Sequence, residues 1–139
     1  VLDFIVERKN IDDMSSSLTD GRYRDQKHRL QRSGLKKLMY ILEGDPNQSG
    51  SGESIKEACF TTEISEDFDV IRTNGLGETL RKYGYLTKSI HQYYKSRVNE
   101  DQSKVCALCP CFDRFVKRCQ ALNKMTISNL FAIQLMQVP

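Results

Sequence analysis

The first thirteen residues constrain this chain most. Leu2-Asp3-Phe4-Ile5-Val6 is a mostly apolar run that stops abruptly in Glu7-Arg8-Lys9. Leu2 to Val6 predicts a short strand, because a parallel strand covered on both faces is close to continuously apolar. Asn10 is a good helix N-cap, and Asp12 and Asp13 then fall in the first helical turn, where the helix dipole favours acids. A strand therefore ends, three charged residues stand at its carboxyl end, and a helix starts at once. In open α/β sheets that edge is where ligands bind.

Metal-assisted phosphodiester hydrolysis suits this spacing. Glu7 and Lys9 are two residues apart, so on an extended backbone they point to one side. A carboxylate is a hard oxygen ligand for Mg²⁺, which lowers the pKa of a bound water and offsets phosphate charge. A neighbouring ammonium can orient the attacking water and stabilise the transition state. A lone Glu-x-Lys is common, however. On its own, Asp13 reads equally as a dipole complement and Arg8 as a solvated surface charge. The whole pattern Glu7-Arg8-Lys9-Asn10-Ile11-Asp12-Asp13 is more specific: it matches the E-R-K-x-x-x-D motif of the XPF family of structure-selective endonucleases. Arg22-Tyr23-Arg24-Asp25-Gln26-Lys27 and the terminal Phe131 to Pro139 also resemble that family, plant members of its crossover-junction branch above all. The resemblance covers essentially the whole chain.

The resemblance implies a restriction-endonuclease-like α/β fold, with a central, mostly parallel sheet flanked by helices. The fold's first strands would lie upstream of Val1, together with a Gly-Asp that supplies another metal-binding acid in the family. Residues 1–139 would thus be an N-terminally incomplete nuclease domain, with a helix-hairpin-helix module following Pro139. The implied activity is cleavage of branched DNA (3′ flaps, forks, nicked junctions) in nuclear repair and recombination. Mg²⁺ is the implied cofactor, Mn²⁺ a substitute, and a related non-catalytic, Eme-type subunit the heterodimer partner. Glu7 is then the metal ligand, with or without the Arg8 carbonyl, and Lys9 orients water and stabilises charge. Arg8 either binds the scissile phosphate or anchors Glu7, and Asp13 holds Lys9 or Arg8 in place. The rival reading is a non-catalytic DNA-binding partner subunit of the same fold. Such subunits typically carry a degraded motif, whereas Glu7, Arg8, Lys9 and Asp13 are all present. A domain that only scaffolds protein contacts would leave the basic second helix unexplained.

Charge supports a polyanion. The net charge is only +3, but seven basic residues (Arg22, Arg24, Lys27, Arg29, Arg32, Lys36, Lys37) face two acids between Asp20 and Tyr40. Arg22 to Arg32 predicts a helix ending near Gly34, too polar for a core, and Arg22, Arg24, Lys27, Arg29 and Arg32 are the candidate DNA contacts, with Arg24, Lys27 and Arg29 first. No apolar run approaches the ~20 residues of a membrane span. Five cysteines, an odd number, argue for reduced thiols rather than a disulfide framework.

Further along, Lys37–Glu43 predicts a second parallel strand. Its terminal Glu43 either lines the site or is a surface acid. Residues 45–52 read as a loop, Glu53–Glu63 as a helix with Ile55, Ala58, Cys59 and Thr62 inward, and Phe68–Thr73 as a third strand. A long helix then runs to about Arg97, with Leu76, Leu80, Tyr83, Leu86, Ile90 and Tyr94 as its packing stripe. Cys106-x-x-Cys109 is half of a zinc knuckle with no second pair at structural spacing, and Cys111 and Cys119 follow it. Helices over 111–122 and 126–138 close the chain, and their stripes (Phe112, Phe115, Val116, Cys119; Ile127, Leu130, Phe131, Leu135, Met136) suggest a partner surface.

Overall fold

A computed structural model of the chain describes residues 1–100 and 111–123. The expected helix over 126–138, the terminal stretch from Phe131, and Cys106 and Cys109 lie outside these residues. The elements are β1 (Phe4–Asn10), α1 (Ile11–Asp20), α2 (Arg22–Arg32), β2 (Lys37–Glu43), α3 (Gly52–Ile64), β3 (Asp69–Thr73), α4 (Leu76–Glu100) and α5 (Phe112–Asn123), with a 3-10 turn at Pro46–Gln48. The sheet order is β1-β2-β3, parallel throughout. Parallel neighbours require crossover connections, and α1–α2 and α3 supply them.

Strand alternation assigns the two faces. Tyr40 and Leu42 of β2 join Ile11, Met14, Tyr23, Ile55, Cys59 and Phe68 in one buried cluster, so α1, α2 and α3 cover that face. Tyr23 and Phe68 meet the Tyr40 ring edge-on, at 5.4 and 6.5 Å between centroids. This geometry sets the positive edge of one ring against the negative face of its neighbour. The opposite face takes α4. Phe4 of β1 packs edge-on against Tyr93 and Tyr94, and the Asp3 amide donates to the Tyr94 hydroxyl at 2.8 Å.

Two expectations change here. β1 does not stop at Val6; it begins at Phe4 and runs through the charged motif to Asn10, leaving Val1 and Leu2 exposed. In addition, Leu76 and Leu80 are 58% and 60% exposed, while Thr79 between them is fully buried. The first turns of α4 rest on polar groups at the strand ends, so apolar spacing misphases the helix there. Tyr83, Leu86, Ile90 and Tyr94 follow the partly buried line that Thr79 begins. Ile55, Cys59 and Thr62 are buried as expected, with Ala58 packed beside them, and burial raises the Cys59 thiol pKa. No helix among the described residues is long and apolar enough to cross a membrane.

Candidate active site

Because β1 continues through Glu7-Arg8-Lys9, its pleat divides the triplet. Glu7 and Lys9 register with Tyr40 and Leu42 and so face α1 to α3, whereas Arg8 registers with Ile41 and faces α4. The helix that follows begins as the side chains dictate. The Asn10 carboxamide oxygen accepts the Asp13 amide at 2.9 Å, and Asp12 and Asp13 occupy the first turn. Gly44, directly after Glu43, ends β2 at φ +112°, and a Cβ there would stand 2.7 Å from Ile11 Cγ1. Only glycine accepts both the backbone angle and that approach. The last residue of β2 and the first of α1 are thereby held together at the carboxyl edge.

On the α1 side, the Lys9 ammonium donates to Ser17 Oγ at 2.9 Å, and Ser17 is fully buried on α1. The Glu7 carboxylate is half-buried and makes no hydrogen bond or ion pair with any described residue. Its charge reaches the Tyr40 hydroxyl, whose pKa is raised by burial first, then by Tyr23 and Glu7.

On the α4 side, Arg8 grips Glu43 with both prongs of its fork: Nη2 to Oε1 at 2.6 Å and Nε to Oε2 at 3.0 Å. The Thr79 hydroxyl donates to the same Oε2 at 2.6 Å and lies 2.7 Å from the Thr73 hydroxyl. Thr79 has one proton to give, so Thr73 donates to Thr79. The Arg8 bond, then the Thr79 bond, hold the Glu43 carboxyl below its ordinary pKa, and Glu43 in turn raises that of Arg8.

The structure therefore reassigns the supporting contacts. Arg8 does not anchor Glu7, which lies on the other face. Asp13 is exposed and hydrogen-bonds neither Lys9 nor Arg8 through its carboxylate among the described residues; it reaches Arg8 only as a nearby charge. Ser17 holds Lys9, and Glu43, the acid at the end of β2, holds Arg8. Ser17 and Thr79 carry no sequence signal of a site, since small hydroxyl residues occur throughout the chain.

The basic helix is also more selective than its composition suggests. Lys27 is only 7% exposed. Its ammonium donates to Glu66 at 2.8 Å and Thr62 at 3.2 Å and sits 4.2 Å from the centroid of the Tyr23 ring. Tyr23 also hydrogen-bonds Thr62. Lys27 therefore clamps α2 onto α3 and is not presented to a polyanion, a correction to its place among the DNA contacts. The reason is position: it lies one turn after Tyr23 on the inward stripe, where the lysine stem packs as a hydrophobe. Arg32 is partly buried, with Nε unpartnered among the described residues. Arg24 and Arg29 are exposed, and Arg22 is exposed in a surface pair with Asp20 at 2.6 Å.

Among the described residues no three His, Cys, Asp or Glu side chains gather as a metal site. The motif nevertheless fits a Mg²⁺ ion held by one carboxylate. Glu7 offers hard oxygens that no described residue pairs, at the sheet edge, and Mg²⁺ characteristically keeps several waters while taking one or two carboxylates and substrate phosphate oxygens. A separate open groove lies between α2 and α3, lined by Arg24, Lys27, His28, Glu57 and Glu66, and contains none of the motif residues.

Residues 1–86 match the ERCC4 domain. The crossover junction endonuclease MUS81 of Arabidopsis thaliana is 78% identical over 140 residues, covering 100% of this chain and 21% of that protein. Its counterpart from Oryza sativa subsp. japonica is 55% identical over 139 residues, with the same coverage of 100% and 21%. The structure-specific endonuclease subunit MUS81 of Homo sapiens is 31% identical over 157 residues, covering 99% of this chain and 28% of that protein. The chain thus spans about a fifth of the plant relatives' length. The solved structure of XPF from Aeropyrum pernix shares the fold, with a TM-score of 0.55 at 23% identity over 72% of this chain and 49% of that one. With more than half of its length matched to that domain, the chain belongs to the ERCC4-domain family.

Proposed function

We propose that this chain is the catalytic part of a structure-selective DNA endonuclease that hydrolyses phosphodiester bonds in branched DNA with Mg²⁺. The observation that carries the reading is the pairing of a Glu7 carboxylate, unpartnered among the described residues, with a Lys9 ammonium held by Ser17 on one face of the sheet edge. The names of the relatives, crossover junction and structure-specific endonucleases, support it. Glu7 would hold the metal, which when bound supplies an acidified water and neutralises phosphate charge. Lys9, already positioned by Ser17, places a positive charge where negative charge grows in the transition state. Arg8 spends two of its five N–H groups on Glu43 and keeps the others for a phosphate oxygen. The alternative, a non-catalytic partner subunit of the same fold, would have no use for a Glu7 that no described residue pairs, beside a positioned Lys9.

In the full-length protein, Mg²⁺ should support cleavage of a 3′-flap substrate well above that of intact duplex, and EDTA should abolish cleavage while flap binding persists. Undiminished cleavage in EDTA, or none on any branched substrate with Mg²⁺ or Mn²⁺, would sink the reading.

The exposed arginines of α2 complete the proposal. Arg22 and Arg29 are seven residues apart and share one helix face, and Arg24 stands on another. Contacts from these arginines to phosphates would be sequence-independent and salt-sensitive. Replacing Arg22, Arg24 or Arg29 with Ala should weaken DNA binding evenly across sequences and lower the salt slope by about one unit each. Lys27→Ala serves as the contrast, because its ammonium is committed inside the fold. Unchanged slopes for all three arginines would return α2 to a solvated face.

A further inference from the structure

From the geometry we infer that Thr79 is a positioning residue for the hydrolytic site, acting through Glu43 to fix Arg8. The inference rests on the nuclease reading above. Thr73, Thr79, Glu43 and Arg8 form one continuous chain of hydrogen bonds from the buried start of α4 to the motif on β1. Its distances are 2.7, 2.6, 2.6 and 3.0 Å, and the two at 2.6 Å are short, as expected where a carboxylate accepts. Thr79 and Thr73 are almost fully buried, and the Glu43 side chain is 11% exposed. Only the guanidinium, at 39%, emerges from the chain to meet solvent.

Each link has a direction that chemistry imposes. The single Thr79 proton goes to Glu43 Oε2, which leaves Glu43 oriented with Oε1 and Oε2 both toward the fork of Arg8. A free arginine at the end of a strand samples many rotamers, and fixing it before the substrate arrives removes that entropy cost from the reaction. α4 otherwise packs on the sheet through aromatic rings at its far end, 14 and 15 residues along at Tyr93 and Tyr94. Thr79 is thus where the helix touches the motif's support, and it explains why a hydroxyl rather than leucine is buried at the first turns of α4.

The test compares Thr79→Val, Thr79→Ser and Glu43→Gln in the full-length protein, with Glu7→Gln and Arg8→Ala as reference variants. Flap cleavage is measured as kcat and KM, with flap affinity and Tm alongside. Thr79→Val keeps the side-chain shape and removes the donor, so kcat should fall roughly tenfold while KM and flap affinity hold. Thr79→Ser restores the donor and should return kcat to within about twofold of wild type. Glu43→Gln, which cannot accept the full fork, should fall at least as far as Thr79→Val. Wild-type kcat in both Thr79→Val and Glu43→Gln, with Arg8→Ala inactive, overturns the inference and leaves the nuclease reading intact. Equal losses in Thr79→Val and Thr79→Ser also overturn it, since they would report packing. Full activity in Glu7→Gln and Arg8→Ala would instead defeat the nuclease reading itself.

Discussion

Glu7→Gln should reduce flap cleavage by the full-length protein about a thousandfold or more, with flap binding and thermal stability near wild type. The substitution preserves shape and hydrogen-bonding reach but removes the charge that suits a hard divalent cation. Stability should hold because the Glu7 carboxylate makes no hydrogen bond or ion pair with any described residue, so folding does not draw on it. Cleavage rates in Mg²⁺, flap affinity and Tm, taken together, check the claim. Wild-type cleavage by Glu7→Gln would end the assignment of Glu7 as metal ligand. Loss of cleavage with a fall of many degrees in Tm would show that Glu7 has a structural partner.

Lys9→Ala should lower kcat roughly a hundredfold, the loss typical of removing one preorganised charge or donor from a transition state. Metal affinity should survive, which separates Lys9 from Glu7. A Mn²⁺ titration of both variants distinguishes them directly. Lys9→Ala also strips the fully buried Ser17 hydroxyl of its partner, at a cost to stability of about 1 kcal/mol. Lys9→Arg keeps the charge but should not restore full activity, because a planar fork cannot replace a compact ammonium against a single serine oxygen. A Lys9→Ala enzyme with unchanged kcat would remove Lys9 from the chemistry.

The regular elements were legible because their signals agree. Arg22–Arg32 and Lys37–Glu43 are bounded in the structure where sequence spacing predicts, each flanked by a glycine that takes a positive φ. The motif itself was legible as a pattern, and the placement of Glu7 and Lys9 on one side follows from strand periodicity alone. What a sequence hides is the identity of the second partner. Arg8, Lys9 and Lys27 each find theirs 8 to 39 residues away, in Glu43, Ser17 and Glu66. Such pairings are set by how helices seat on the sheet, and local composition does not encode them. Lys27 illustrates the point most clearly, since its residue type argues for the surface and its place beside Tyr23 decides for the core. Thr79 is the mirror case, a small polar residue that displaces two leucines from the buried face because the strand ends beneath it are themselves polar.

The alternation along β1 has a consequence for how this protein can vary. Glu7 and Lys9 stand on one side of a sheet one residue thick, and Arg8 is tied to Glu43 on the other. Substitutions at these positions alter one side chain at a time. Loss or gain of a single residue between Phe4 and Glu7 would turn one end of the strand over relative to the other: with Phe4 still packed on Tyr93 and Tyr94, the carboxylate and ammonium would be sent toward α4 and the guanidinium toward Tyr40. The segment therefore has a reading frame in space, and its length is constrained along with the identity of its charged residues.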